Sequence, residues 1–555
     1  MSAVTHEVTN QPAPLVGHNV YAGDRALRDA LAFHLPGADE SQRVRFGALL
    51  GSEAMQTHAR LANTHKPSLH THDRFGHRTD TVEFHPSYHA LLGAAVEAGL
   101  HATPWSRGPG AHLERAAGFL MFTQLEPSVL CPVSMTYAVT PALRDNAPVF
   151  KDWFDALAST RYDPRLAFVG TKTGVTMGMG MTEKQGGSDV RANTTQAEFV
   201  ANDAWGACYR LTGHKWFFSA PMSDAFLVLA QTPAGLGCFF LPRVLPGGTV
   251  NAIAIQRLKD KLGNHANASS EVEFNGALAW RVGDEGRGIA QILEMGTLTR
   301  LDCALGTAGL MRGAVALALN HAAQRQAFGK PLADQPLMKN VLADLALESE
   351  AATALALRLA RAVDRQDDPF ETLMRRVLTP VAKFWVCKRG SALAQEAMEC
   401  LGGNGYVEEH GEGVMARIYR EMPLNSIWEG AGNIMALDLM RALRKRDGKN
   451  GDTLQALEAE LATTRGASPV LDRFADALFA RLAEGAGEEA DARRLAQDVA
   501  LAVQASLLRR HAPDFSFEAF CRSRLAAGGP QVFGTLPSAT AFDPLIQRAM
   551  PHGAS

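Results

Sequence analysis

None of the seven cysteines (Cys131, Cys208, Cys238, Cys303, Cys387, Cys400 and Cys521) stands in a CxxC pair, so neither a zinc ribbon nor a disulfide framework is expected. Scattered, reduced thiols point to a cytoplasmic setting. No run of about 18 uncharged apolar residues occurs, which leaves nothing expected to span a bilayer. The N-terminal MSAVTHEVTNQPAPL lacks the basic start and apolar core of a secretory signal. A charge excess is missing too: 55 Lys and Arg face 58 Asp and Glu, a formal net charge of −3. The chain as a whole therefore has no electrostatic pull toward nucleic acid or membrane. Internal repeats are absent, and the glycines nowhere form the GxGxxG dinucleotide fingerprint.

What is present is a chain of 555 residues, 46% apolar and 20% charged. That is a globular composition, and the length predicts about two to four domains. Residues 1–175 read mainly as helix: 24–34, 41–61, 88–98, 113–126 and 148–157 carry apolar residues three and four apart, with Pro148 suited to a first turn. Between them, residues 67–86 are polar and His-rich and read as a loop. Six imidazoles (His65, His70, His72, His77, His85 and His89) fall in or beside it, but with no companion Cys and a mixed Pro/Asp/Arg context no metal site is expected. Over residues 176–285 the pattern changes to short apolar runs punctuated by Gly, Pro, Asn and Asp, which predicts an antiparallel β domain or small barrel. Residues 286–446 return to long Ala/Leu-rich helices able to pack closely in a bundle. Residues 447–555 form a helical C-terminal extension. The expected class is α+β, mostly α.

Five segments carry candidate chemistry. In MGMGMTEKQGGSDV (177–190) small residues in a turn let backbone N–H groups and hydroxyls approach a flat, oxygen-rich ligand; the same glycines also suit a tight entry into the sheet. The aromatics and hydroxyl of GHKWFFS (213–219) suit a stacking wall with a hydrogen-bond donor, or a core strand. RQAFGKPL (325–332) closes a long helix, where Arg325 has the fork geometry to hold a pyrophosphate or to cap the helix end. Gly402-Gly403-Asn404-Gly405-Tyr406 is a turn between two helical runs. In SIWEGAGNIM (426–435) Glu429 sits between Trp428 and Gly430; desolvation raises a carboxylate's affinity for protons and suits it to act as base toward a weakly acidic C–H, although a Glu at a helix start is also favoured by the dipole.

Taken in order, MTEKQGGSDV, GHKWFFS, RLKDKLGN, RQAFGKPL, LGGNGY and SIWEGAGNIM, with TNQPAPL near the N-terminus, resemble the acyl-CoA dehydrogenase superfamily, in particular its AidB (alkylation-response) branch. The likeness is strong over residues 7–450 and looser in the tail. It implies an N-terminal helical domain, a middle antiparallel β domain, a C-terminal helical bundle and usually a homotetramer. FAD is then expected between β domain and bundle, with a neighbouring subunit completing the site. By this resemblance Met181, Thr182, Gly187 and Ser188 line flavin and substrate. Phe217 takes the place of the tryptophan that flanks the flavin, beside Phe218, and Ser219 that of the hydroxyl near N5. Arg325 and Phe328 match the segment gripping the FAD diphosphate, and Gln335, Gly402 and Gly403 its ADP half. Gly430 and Asn433 match flavin contacts, Asn433 where a glutamine is usual. Ser188 and Arg300 fall on the substrate side. Glu429 matches the base. A minority of the family puts the base just before an arginine on an earlier helix; that position is Thr299, before Arg300, and a threonine is no useful proton acceptor at neutral pH.

The resemblance implies loss of the α-proton of an acyl-CoA-type thioester to Glu429 and of the β-hydrogen as hydride, with an electron-transfer flavoprotein or oxygen as final acceptor. Two departures stand out: the family's TEP segment reads Thr182-Glu183-Lys184, and its flanking Trp is Phe217. The branch resembled is associated with weak dehydrogenase activity and DNA protection, so double-stranded DNA is a second expected partner. Residues 451–555 hold ten Arg, no Lys and thirteen acidic residues, not a basic domain. The best cation cluster is Arg441, Arg444, Lys445 and Arg446, with Lys449 following; Arg509, Arg510, Arg522 and Arg524 form a second group. Both also read as solvated helix ends.

Overall fold

The computed structural model describes residues 5–444, 446–447, 451–483, 488–526 and 532–551. The chain forms two compact units, Thr57–Phe122 with Glu126–Asp302, and Met1–Gln56 with Thr123–Leu125 and Cys303–Ser555.

The first of these units is built on a seven-stranded sheet: β3 (Met177–Gly180), β4 (Gln196–Asp203), β5 (Gly206–Ser219), β6 (Ala225–Thr232), β7 (Gly235–Pro242), β8 (Ile253–Leu258) and β9 (Ser269–Val282). Pairing runs β6-β4-β5-β9-β7 and back to β6, so these strands close on themselves and leave few edges. Most pairs are antiparallel, but β3 and β4 both meet β6 in parallel. Phe218, Phe226, Phe239, Phe274, Val228 and Val272 fill the core. Alternation of Gly and Met in β3 has a steric cause: a Cβ at Gly178 would lie 2.5 Å from the Phe226 ring, and one at Gly180 2.7 Å from Phe218.

Three local expectations change in this half of the chain. Residues 67–86 are not loop but an antiparallel hairpin, β1 (Ser68–His72) with β2 (Arg78–Glu83). Asp73 closes its turn by accepting the Phe75 and His77 N–H groups at 2.8 and 2.9 Å, and Leu69 and Val82 lean on the sheet core. Its histidines pair locally: His70 with Glu83, His77 with Asp73, and His65 stacked on His85. The helix Leu130–Leu143, absent from the expected set, is buried at every position but Ser134 and Pro141, and a helix apolar on all sides shows no amphipathic period. The helix expected over 41–61 is broken into Ser41–Leu50 and Glu53–Thr64 around Gly51.

The other unit is helical, built from Pro336–Asp364, Pro369–Cys400, Gly432–Arg444 and the later part of Gly288–Gln324. Among the described residues Gly288–Gln324 alone is long and apolar enough to cross a membrane, but its most apolar window is 94% buried in the protein, as in a core helix. The extension packs here as Thr453–Ala462, Pro469–Ala483, Ala492–His511, Asp514–Phe520 and Phe542–Ala549. Buried ion pairs fasten it: Arg358 bonds Glu371 and Glu460 (2.7 and 2.9 Å), Arg524 meets Asp344 and Glu348, and Arg548 holds Glu350 at 2.8 Å. Charges so buried persist only when matched. The second arginine group is accordingly not a cationic face: Arg509, Arg510, Arg522 and Arg524 each engage a carboxylate.

Candidate active site

On the sheet, a bulge decides which aromatics are presented. β5 and β9 slip register between Lys215, opposite Val272, and Phe218, opposite Ser270. The extra residue turns Trp216 and Phe217 to one side and leaves Lys215 and Phe218 inside. Phe217 is 52% exposed. The ring of Phe218 is wholly buried, 4.2 Å from that of Phe226, and its carbonyl accepts from Ser270 Oγ. The expectation that Phe218 faces a cofactor is therefore corrected: strict adjacency in sequence hid the bulge. Lys259 Nζ lies 3.3 Å from the Trp216 centroid and 4.8 Å from that of Phe217, and Phe217 is the more exposed of the two rings. Ser219 is half-buried, and among the described residues its hydroxyl has no protein hydrogen-bond partner.

The loop from Met181 is fastened to this strand. Thr182 O accepts the Trp216 N–H at 2.8 Å, and Met181 O accepts from Asn193 Nδ2 at 2.8 Å. Glu183 is its anchor, buried against Lys215 Nζ at 2.8 Å and taking the backbone and hydroxyl groups of Thr194 and Thr195. Burial alone would raise its pKa, but the Lys215 charge and these donors hold the carboxyl below the usual range. Burial pushes the Lys215 ammonium down to about 8 against the pull of Glu183. Glu183, which this segment shares with the family's TEP, is thus structural; the departing residue is the exposed Lys184, whose N–H donates to His214 Nε2 at 3.1 Å. Gly187 passes over Thr182 so closely that a Cβ would lie 2.5 Å from Thr182 Oγ1, and Ser188 follows it, exposed. In the same unit Arg300 is half-buried, and the Thr299 hydroxyl donates to Gly296 O at 3.1 Å.

In the helical unit, Glu429 occupies a left-handed turn, with φ +58° at Glu429 and +100° at Gly430. Glycine takes that conformation freely; for Glu it stores strain of about 1 kcal/mol or more, and such strain concentrates at functional sites. The turn is held from both sides. Trp428 Nε1 donates to Asn425 Oδ1 at 3.0 Å, and Lys383, 1% exposed on Pro369–Cys400, donates Nζ to the Gly430 carbonyl. Glu429 is half-buried, and Asn433 is exposed on the first turn of Gly432–Arg444.

Arg325 stands, half-buried, at the base of a two-residue hairpin, Gln326–Ala327 against Lys330–Pro331. Phe328 and Gly329 make its turn with φ +52° and +80°, both left-handed as a type I′ turn demands, and Phe328 is 98% exposed. Gln335 Nε2 braces the hairpin through Ala327 O at 2.9 Å. Gly402 (φ +59°) and Gly403 leave open space where a side chain would stand. Each unit, taken by itself, offers groups suited to a flavin nucleotide: an exposed ring and a hydroxyl without a described partner on the sheet, and a guanidinium with further N–H groups on the helices.

Three family models match the chain: the adaptive response protein AidB N-terminal domain over residues 10–164, the acyl-CoA dehydrogenase middle domain over 178–277, and the acyl-CoA dehydrogenase C-terminal domain over 286–444. AidB of Escherichia coli (strain K12) is 47% identical over 528 residues, 95% of each chain. The chain belongs to the acyl-CoA dehydrogenase superfamily, in its AidB branch. Acyl-CoA dehydrogenase family member 11 of Caenorhabditis elegans is 30% identical over 78% of this chain and 71% of its own. The crystal structure of Caenorhabditis elegans ACDH-11 in complex with C11-CoA superposes with a TM-score of 0.82 at 27% identity, covering 94% of this chain and 93% of that one. The α+β, mostly helical fold expected from the motifs is thus the fold of the acyl-CoA dehydrogenases.

Within that family fold, sequence reading overlooked Lys383, whose position mid-helix gives no motif. It also overlooked a groove of about 1090 Å³ between helix Pro369–Cys400 and the C-terminal extension, where Lys388, Arg389, Arg473, Arg481, Arg494 and Arg524 converge with Asp498. Arg389, Arg481 and Arg524 bond carboxylates there. Of the expected DNA-facing cluster, Arg441 and Arg444 are exposed in the last turn of their helix. Lys445 and the side chain of Arg446 lie outside the described residues.

Proposed function

We propose that the protein is an FAD-dependent dehydrogenase of acyl thioesters with Glu429 as its base, acting as a cytoplasmic homotetramer. The observation that carries this reading is the strained Trp428-Glu429-Gly430 turn, pinned by Lys383 and Asn425, in a chain of this family. When bound, FAD supplies the two-electron acceptor for the β-hydrogen. Phe217 offers its face to the ring system, Ser219 a hydroxyl, and Arg325 a fork for the diphosphate, with Met181, Thr182, Phe328, Gln335, Gly402, Gly403, Gly430 and Asn433 around it. Ser188 and Arg300 serve the substrate side. Glu429 takes the α-proton on its carboxylate, and the electron pair left behind forms the new bond between the α and β carbons. An electron-transfer flavoprotein is the proposed acceptor downstream. Phe328, Leu337, Tyr406 and Ile427, all 63% exposed or more, support association with further copies of the chain. Anaerobic titration with a panel of acyl-CoAs tests the proposal: absorbance at about 450 nm, the oxidised-flavin band, falls with at least one thioester. A yellow protein that none of them bleaches contradicts it.

The groove favours a second activity beside the first, association with double-stranded DNA through its Lys388, Arg473 and Arg494, joined by Arg441 and Arg444 at the end of helix Gly432–Arg444. Such binding weakens steeply with salt as phosphate counterions are released. Retention of DNA with unchanged affinity between 50 and 200 mM salt, values typical of such assays, would exclude it.

A further inference from the structure

Residues 9–14 lie along the helical unit as a strap. Asn10 adopts a left-handed φ of +56° and pairs with the backbone of Gln326 as a neighbouring strand would. Its Nδ2 donates to Gln326 O at 2.9 Å, and its Oδ1 accepts Gln326 N–H at 2.8 Å. The Asn10 carbonyl accepts from the Arg325 guanidinium. One residue on, Gln11 Oε1 accepts from Asn404 Nδ2 at 3.1 Å, in the glycine turn. Further along, Ala13 N–H donates to Gln324 Oε1 at 2.9 Å, and its carbonyl accepts from Asn320 Nδ2 at 3.0 Å. The strap therefore touches three points, two adjacent in sequence and one remote: the end of helix Gly288–Gln324, the base of the Arg325 hairpin that follows it directly, and the turn after Gly402-Gly403.

Two of those points are the segments proposed above for the diphosphate side of FAD. We infer that the strap is a positioning element for that side of the cofactor site, with Asn10 as the positioning residue that sets the aim of Arg325. The inference rests on the flavin reading. Asn10 takes one edge of the guanidinium and one edge of the hairpin, so Arg325 keeps its remaining N–H groups in a fixed direction. A fork held in place loses less freedom when it meets a diphosphate. Because coupling between binding events is reciprocal, FAD in turn holds the strap down.

Asn10→Gly keeps the left-handed backbone freedom and removes only the side-chain pair with Gln326. In the full chain stripped of flavin and titrated with FAD by quenching of flavin fluorescence, the variant is expected to bind about tenfold more weakly. Gln11→Ala, which touches only the glycine-turn contact, should weaken binding by about threefold. Hydrogen exchange adds a readout that general loss of stability would not produce. In the wild type, the amides of Thr9, Asn10, Gln11, Ala13 and Gln326 slow on adding FAD, and in Asn10→Gly they stay fast while helix Pro369–Cys400 remains as protected as before. A wild type that binds FAD with an Asn10→Gly variant of equal affinity overturns the inference alone. A wild type that binds no FAD overturns the flavin reading and this inference with it.

Discussion

Glu183→Gln keeps the shape of the most heavily bonded side chain in the sheet unit and deletes its charge. The carboxylate is fully buried, and its donors are Lys215 Nζ, Gln185 Nε2 and the N–H and hydroxyl groups of Thr194 and Thr195. An amide turns one acceptor into an NH2 group among these donors, and leaves Lys215, itself fully buried, with the Leu229 carbonyl at 2.7 Å. Removing one member of a buried ion pair costs about 3–5 kcal/mol because the other stays desolvated. Urea unfolding followed by tryptophan fluorescence should show that loss as a lower midpoint. Adding Lys215→Met removes the stranded ammonium, so the double variant should be more stable than the sum of the single losses by about 1 kcal/mol or more. Since the same loop carries Met181, Thr182, Gly187 and Ser188, FAD retention should fall in parallel. A Glu183→Gln protein that unfolds at the wild-type midpoint, or simple additivity in the double variant, would refute the reasoning.

Acid should loosen the seat of the C-terminal extension. His34 and His511 are buried near one another, and among the described residues none of their ring nitrogens has a hydrogen-bond partner. Burial first, then neighbouring imidazole and guanidinium groups, lowers their pKa values to about 2 and about 4. The unfolded chain protonates both near 6.5, so it binds more protons than the folded one below that pH. Stability is therefore full above 6.5 and declines by about 1.4 kcal/mol per pH unit per histidine as the pH falls toward the folded values. Melting curves at pH 7 and 5 should differ less for His34→Leu than for the wild type; equal differences would discount the pair. Lys383→Met removes the brace under Gly430, and a misplaced base costs about 10²-fold in rate. Single-turnover flavin reduction should slow by that order while FAD stays bound, and an unchanged rate would show that the turn holds itself.

Much of the fold was readable because its elements advertise themselves through period and punctuation. The helices of the bundle repeat Ala and Leu at helical spacing, and the sheet announces itself by short runs between Gly, Asp and Asn. The helix Leu130–Leu143 escaped notice because burial on every side erases that period. The hairpin Ser68–His72 with Arg78–Glu83 was masked by polar composition, although Thr79, Thr81 and Val82 have strand chemistry. Of the residues proposed for the site, Glu429, Phe217, Ser219 and Arg325 each lie within a contiguous signature and so could be nominated from motifs. Phe218 could not be sorted from Phe217, because a one-residue bulge reverses sides without leaving a mark in composition. Lys383, the Lys215–Glu183 pair and the Asn10 strap act across tens to hundreds of residues, and only folding brings their partners together. Arg509, Arg510, Arg522 and Arg524 of the tail are matched by carboxylates, two of them more than 40 residues away, which no local pattern reveals.

The central claim, that Glu429 removes a proton from a bound acyl thioester, is tested most directly by Glu429→Gln in anaerobic stopped flow with the thioester that best bleaches the wild type. The account predicts a variant that retains FAD and binds the thioester but reduces its flavin about 10²–10⁴-fold more slowly. Flavin reduction at the wild-type rate in the variant would contradict it.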